Sequence, residues 1–86
     1  MKYRLHKNFV KAFRKLSEKL KKRVRMRMLL FIEHPYHFQL NNHQLTGKYL
    51  GYYSINISGD YRAVYKKISE SEVVFVEIGT HAQLYA

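Results

Sequence analysis

The chain has 86 residues, 47% of them apolar, with 16 Lys and Arg against 6 Asp and Glu and a formal charge of +10 at pH 7. That length predicts one domain over residues 1–86 with one thin core, and the apolar fraction excludes a disordered chain. Without cysteine there is no disulfide or thiolate site, the longest apolar run (Met28 to Ile32) is too short to cross a bilayer, and the first residues lack a signal-peptide core, so a cytoplasmic protein with no membrane partner is expected.

Tyr3 and Leu5 alternate with Arg4 and His6, the pattern of a short first strand. Asn8 suits the cap of a following helix. Phe9, Phe13, Leu16, Leu20, Val24, Met28 and Phe31 then recur at spacings of 4, 3, 4, 4, 4 and 3, a helical stripe with no phase break. As one rod it would run about 25 residues and about 37 Å, too long for so small a domain. Two helices are therefore expected, with Ser17 as the second N-cap and Glu18 in its first turn. Pro35 ends the second helix, because the residue before a proline is pushed out of helical geometry.

Twelve of the sixteen basic residues precede Met28, against one acid, Glu18. Such an unbalanced face points to a polyanion: RNA, DNA or an acidic protein. A membrane surface is the weaker reading, because the apolar stripe is needed to cover a sheet.

His34 to Asn42 reads as an irregular connector. Beyond it, runs rich in Tyr, Val and Ile, separated by Ser58-Gly59 and ending in Val73 to Ile78, read as an antiparallel meander. A three-residue loop, Ile57 to Gly59, would pair Asn56 with Asp60 and Ser54 with Arg62, with Gly59 left-handed. That register collects Tyr52, Ser54, Asn56, Asp60 and Arg62 on a polar face and turns Tyr53, Ile55, Tyr61, Ala63 and Tyr65 toward the helices. His43 and His81 flank the polar face, which makes it a candidate site for proton transfer on an anionic substrate. Taken singly, each residue also suits a plainer role: surface loop for His43, turn for Asp60, cap or tail for His81. No zinc-type spacing such as H-E-x-x-H is present, and neither metal nor cofactor is expected.

The ordered set His43-Gln44-Leu45-Thr46-Gly47, Lys48, Gly51-Tyr52, Gly59-Asp60-Tyr61-Arg62-Ala63-Val64-Tyr65 and Gly79-Thr80-His81-Ala82-Gln83-Leu84-Tyr85 resembles the RelE/ParE superfamily of bacterial toxins. It is most similar to the YafQ-like branch of mRNA interferases. The resemblance spans about half the chain; the N-terminal half matches only in pattern. It implies an α+β fold of order β-α-α-β-β-β, with a small, mostly antiparallel four-stranded sheet and two N-terminal helices on one face. It further implies a type II toxin that cleaves mRNA on the ribosome and is held by an acidic antitoxin. His43, Asp60 and His81 match the branch's catalytic positions, Tyr85 its terminal aromatic, and Arg62 an arginine that the wider group uses on phosphate. Asn56 stands where the branch usually has another histidine, and asparagine exchanges no proton near neutrality.

Metal-free RNA cleavage needs a base for the 2′-OH, an acid for the departing 5′ oxygen, and donors for the charged phosphorane. Histidines suit the first two roles and the Arg62 fork the third. Asp60 could orient a histidine or raise its pKa. Lys48, between two glycines, suits backbone phosphate, and Tyr85 can stack on a base. Two readings of other classes compete: a ParE-like toxin that binds a protein such as DNA gyrase and cleaves nothing, and a non-catalytic module that binds RNA or antitoxin.

Overall fold

The computed structural model describes residues 1–85. Its elements are β1 (Lys2–Leu5), α1 (Lys7–Arg14), α2 (Glu18–Glu33), β2 (His43–Gln44), β3 (Tyr53–Ser58), β4 (Tyr61–Lys67), β5 (Glu72–Thr80) and α3 (His81–Tyr85), with 3₁₀ turns at Phe38–Leu40 and Gly47–Tyr49.

The apolar stripe splits as its length requires. The longest dimension of the molecule is 32 Å, shorter than the single rod of about 37 Å that an unbroken helix would make. Ser17 is the break: its Oγ accepts the Leu20 N–H at 3.2 Å. α2 stops at Glu33, just ahead of Pro35. The cap of α1 is His6 rather than Asn8. The His6 N–H is held in the sheet by the Phe75 carbonyl at 2.8 Å, so the helix must start at the next residue. His6 Nδ1 then accepts the Asn8 N–H at 3.1 Å, taking the place of the usual oxygen cap.

The sheet has five strands in the order β1-β5-β4-β3-β2, not the four expected. β1 is a parallel edge strand on β5, with Tyr3 beside Val73 and Leu5 beside Phe75; every other pairing is antiparallel. The added strand, β2, is only two residues, His43 and Gln44, set against Ser54 and Tyr53. Two residues are too few to show alternation in a sequence.

The β3–β4 register also departs from expectation. Asn56 lies opposite Arg62 and Ser54 opposite Val64, while Ser58 pairs with Tyr61 around a two-residue Gly59-Asp60 turn. Gly59 takes φ +54° there, a conformation that favours glycine. Ile57, expected in the loop, forms a bulge and is fully buried. Burying that side chain outweighs the simpler loop. The slip is two residues, so each side chain keeps its expected face.

The face under the helices is the core. Phe9, Val24, Met28 and Phe31 pack on Ile55, Ala63, Tyr65 and Phe75. Phe31 sits 5.0 Å from Tyr65 and 5.4 Å from Phe75 between ring centroids. The Tyr65 hydroxyl donates to Asn42 Oδ1 at 2.8 Å, and Asn42 Nδ2 donates to the Pro35 carbonyl at 2.9 Å. Those two bonds tie the connector to the core and fix where β2 begins. Among the described residues no helix is long and apolar enough to cross a membrane.

Candidate active site

The opposite sheet face carries a cleft of about 460 Å³. His43, Thr46, Ser54, Arg62, His81 and Tyr85 line it, together with Asn41 and Leu45. Four of the seven residues expected from sequence therefore meet in one place: His43, Arg62, His81 and Tyr85.

His43 enters on β2 and is exposed. Its Nδ1 lies 2.7 Å from the Asn41 carbonyl oxygen. A carbonyl only accepts, so Nδ1 carries the proton and Nε2 of the neutral ring keeps a free lone pair. Asn41 aims that carbonyl from a left-handed conformation, φ 45°, which asparagine tolerates better than most residues.

Arg62 rises from β4 and its Nη1 donates to the Gly59 carbonyl at 2.8 Å and the Tyr61 carbonyl at 3.1 Å. Those bonds hold the guanidinium over the β3–β4 turn through one nitrogen and leave the rest of its fork for a ligand. Neither ion pair among the described residues involves Arg62.

His81 begins α3, a five-residue helix that sequence periodicity did not reveal. Thr80 and Gln83 form a reciprocal cap: the Gln83 N–H donates to Thr80 Oγ1 at 3.2 Å, and the Thr80 N–H donates to Gln83 Oε1 at 2.8 Å. That is a capping box, and the Thr-x-x-Gln spacing was the signal that could have found the helix. The His81 N–H donates to the Asp60 carbonyl at 3.1 Å. Asp60 thus touches the site through its backbone. Its side chain is exposed in the turn and does not line the cleft.

Two polar atoms on this face are buried without a hydrogen-bond partner among the described residues: Ser54 Oγ and Asn56 Oδ1. Ser54 lines the cleft, is 1% exposed, and sits directly across from His43. An orphaned buried hydroxyl costs free energy. Sequence reading placed Ser54 on the polar face but not in the site. Asn56 lies opposite Arg62 across β3 and β4 and does not line the cleft.

Lys48 lies elsewhere, in a neighbouring cleft with Tyr49, Tyr52 and Glu77. The wall between the two clefts is aromatic: Tyr49 meets Tyr85 edge to face at 5.6 Å, and Tyr85 meets His81 at 4.7 Å. Among the described residues no group of three or more His, Cys, Asp or Glu converges as a metal site would.

A helix pair on one face of a small mixed sheet, with a cleft on the other, is the RelE-like toxin fold. The chain superposes on the crystal structure of YafQ from Escherichia coli strain BL21(DE3) with a TM-score of 0.79, at 24% identity over 98% of this chain and 97% of that one. The YoeB/ParE toxin from Agrobacterium tumefaciens gives 0.76 at 16% identity over 94% and 99%, and YafQ in the E. coli DinJ–YafQ complex gives 0.74 at 21% over 98% and 97%. At such identities these likenesses speak for the fold alone. No curated relative matches the sequence. The model of the family described as "Bacterial toxin of type II toxin-antitoxin system, YafQ" matches residues 1–86, and the chain belongs to that family.

Proposed function

We propose that the protein is an mRNA interferase that cuts RNA at the His43–Arg62–His81 cleft by proton transfer, acting in the cytoplasm on ribosome-bound mRNA. The observation that carries this reading is the shared cleft, with His43 Nδ1 fixed on the Asn41 carbonyl. In the proposed reaction His43 Nε2 takes the proton of the 2′-OH, and the 2′ oxygen attacks phosphorus. The bond to the 5′ oxygen breaks, and His81 in its protonated form gives that oxygen a proton. Arg62 donates to the phosphorane oxygens. The products are a 2′,3′-cyclic phosphate and a 5′-hydroxyl, so no water, metal or cofactor enters the balance. Asp60 acts through its carbonyl, by placing His81, and Tyr85 stacks on a base. Incubation with mRNA, free in EDTA or on intact ribosomes in magnesium, tests the assignment. Cleavage is expected; intact RNA under both conditions contradicts it.

The partner proposed for the helical side is an acidic antitoxin, as YafQ of E. coli was solved with DinJ. Between β1, α1 and α2 runs an apolar groove of about 610 Å³ that includes Leu5, Phe13 and Leu29, with Arg14 and Arg25 among its lining. Leu29 is 64% exposed. An amphipathic helix with an acidic flank complements both features. Leu29→Lys should weaken its binding at least tenfold, and raised salt should weaken it further. Unchanged affinity in both arms contradicts the docking site.

A further inference from the structure

The neighbouring cleft has no role in the reaction above. Its volume is about 330 Å³, at the small end for a binding pocket. Tyr49 and Tyr52 line it and meet each other edge to face at 6.0 Å. Lys48 Nζ lies 5.4 Å from the Tyr49 ring centre and Lys66 Nζ lies 5.8 Å from that of Tyr52. The half-buried Glu77 also lines the cleft, and neither ion pair among the described residues includes it. Its side-chain partner is the Tyr49 hydroxyl, which donates to Oε2 at 2.5 Å. Burial first, and then that bond, push the Tyr49 phenol up to about 12, so it remains a donor. Oε1 takes no part in that bond and Oε2 keeps a second lone pair, so the two oxygens together can accept a pair of adjacent donors.

The ligand must therefore offer a flat face to tyrosine, N–H donors to a carboxylate, and an anion to the Lys48 ammonium, with Lys66 beside Tyr52. A nucleotide does all three. Guanine fits best, because N1–H and the N2 amine are adjacent donors. Adenine and cytosine set a ring acceptor beside their amine, and uracil flanks its N–H with carbonyls, so each turns a lone pair toward Glu77. We propose that this cleft is a guanine subsite for the nucleotide next to the scissile phosphate, reached across the Tyr49–Tyr85 wall. The proposal rests on the RNA reading of the main cleft.

The test uses 2′-O-methyl oligoadenosine hexamers carrying one guanosine moved through the six positions, with binding read by fluorescence anisotropy. These strands lack the 2′-OH nucleophile, so the outcome does not depend on whether the main cleft cleaves. Guanosine at one position should tighten binding by about tenfold or more, and inosine there, lacking the N2 amine, should lose most of the gain. Glu77→Gln should abolish the preference, read as the ratio of guanosine-bearing to all-adenosine affinity within the same variant. Tyr49→Phe, which keeps the carboxylate but loses its bond, should retain the preference. No guanosine preference at any position, or a preference unchanged in Glu77→Gln, overturns the proposal.

Discussion

The rings of His81 and Tyr85 meet edge to face with centroids 4.7 Å apart, so the two ends of α3 form one unit. Tyr49 backs Tyr85 from the other side at 5.6 Å. Tyr85→Phe keeps both contacts and should bind and cut RNA like the parent. Tyr85→Ala removes the stacking surface, worth about 1–3 kcal/mol per base, and unseats His81. Oligonucleotide affinity and cleavage rate should both fall in Tyr85→Ala; equal values in the two variants would remove Tyr85 from the site.

The Thr80–Gln83 capping box holds the helix that presents His81. Gln83→Ala should lower stability by about 1 kcal/mol and reduce cleavage by misplacing His81. A Cβ added at Gly79 would lie 2.9 Å from Gln83 Oε1. Gly79→Ala should therefore push the amide aside and break the same cap. The double variant should be no worse than Gly79→Ala alone, and urea midpoints read that non-additivity. Additive losses would show that the two residues act separately.

These two elements also mark what a sequence conveys and what it hides. The helix stripe from Phe9 to Phe31, its break at Ser17 and its stop before Pro35 are local signals, written in period and capping chemistry. The faces of β3 and β4 were legible for the same reason. The pairing itself was not, because a slip of two residues preserves every face; burial of Ile57 decided it. β2 and α3 are too short to show a period, and the parallel seat of β1 on β5 is a contact across almost the whole chain. At the site, His43, Arg62, His81 and Tyr85 were recognisable from the order of their motifs. Ser54 was not, because a serine in a strand carries no mark of being an orphaned donor until its neighbours are placed. Asp60 was read for its carboxylate, whereas the contact it makes is through its carbonyl.

Tyr65 and Tyr49 should set an alkaline limit to stability. Burial pushes Tyr65 up to about 12, opposed by its bond to Asn42, and Tyr49 is raised to about 12 as well. A phenol whose folded pKa exceeds its unfolded value of about 10 favours the fold while protonated. The contribution is complete below pH 10 and is lost as pH rises toward 12. Urea midpoints should hold from pH 8 to near 10 and then fall. In Tyr65→Phe the alkaline fall should be shallower, and an equally steep fall would exclude Tyr65 as a source.

Asn56 lies opposite Arg62 across β3 and β4, and its Oδ1 has no hydrogen-bond partner among the described residues. Asn56→Asp puts a carboxylate there that competes with phosphate for the arginine fork. Losing a charge-assisted hydrogen bond of about 1.5–3 kcal/mol would slow cleavage by roughly tenfold or more. Asn56→His adds a titrating ring opposite Arg62 and should preserve or raise the rate. Asp60→Ala keeps its carbonyl and should lose less activity than His81→Ala. A single-turnover series over the four variants and the parent checks the order; cleavage by Asn56→Asp at the parent rate would uncouple Arg62 from the substrate.

The most direct measurement is single-turnover cleavage of one mRNA by the parent, His43→Ala and His81→Ala, with the chemistry of the product ends determined. The account predicts a 2′,3′-cyclic phosphate and a 5′-hydroxyl, and rates about 10²–10⁴-fold lower in each variant at an unchanged unfolding midpoint, since both side chains are exposed. Variants that cut at the parent rate, or products that carry a 5′-phosphate, would contradict it.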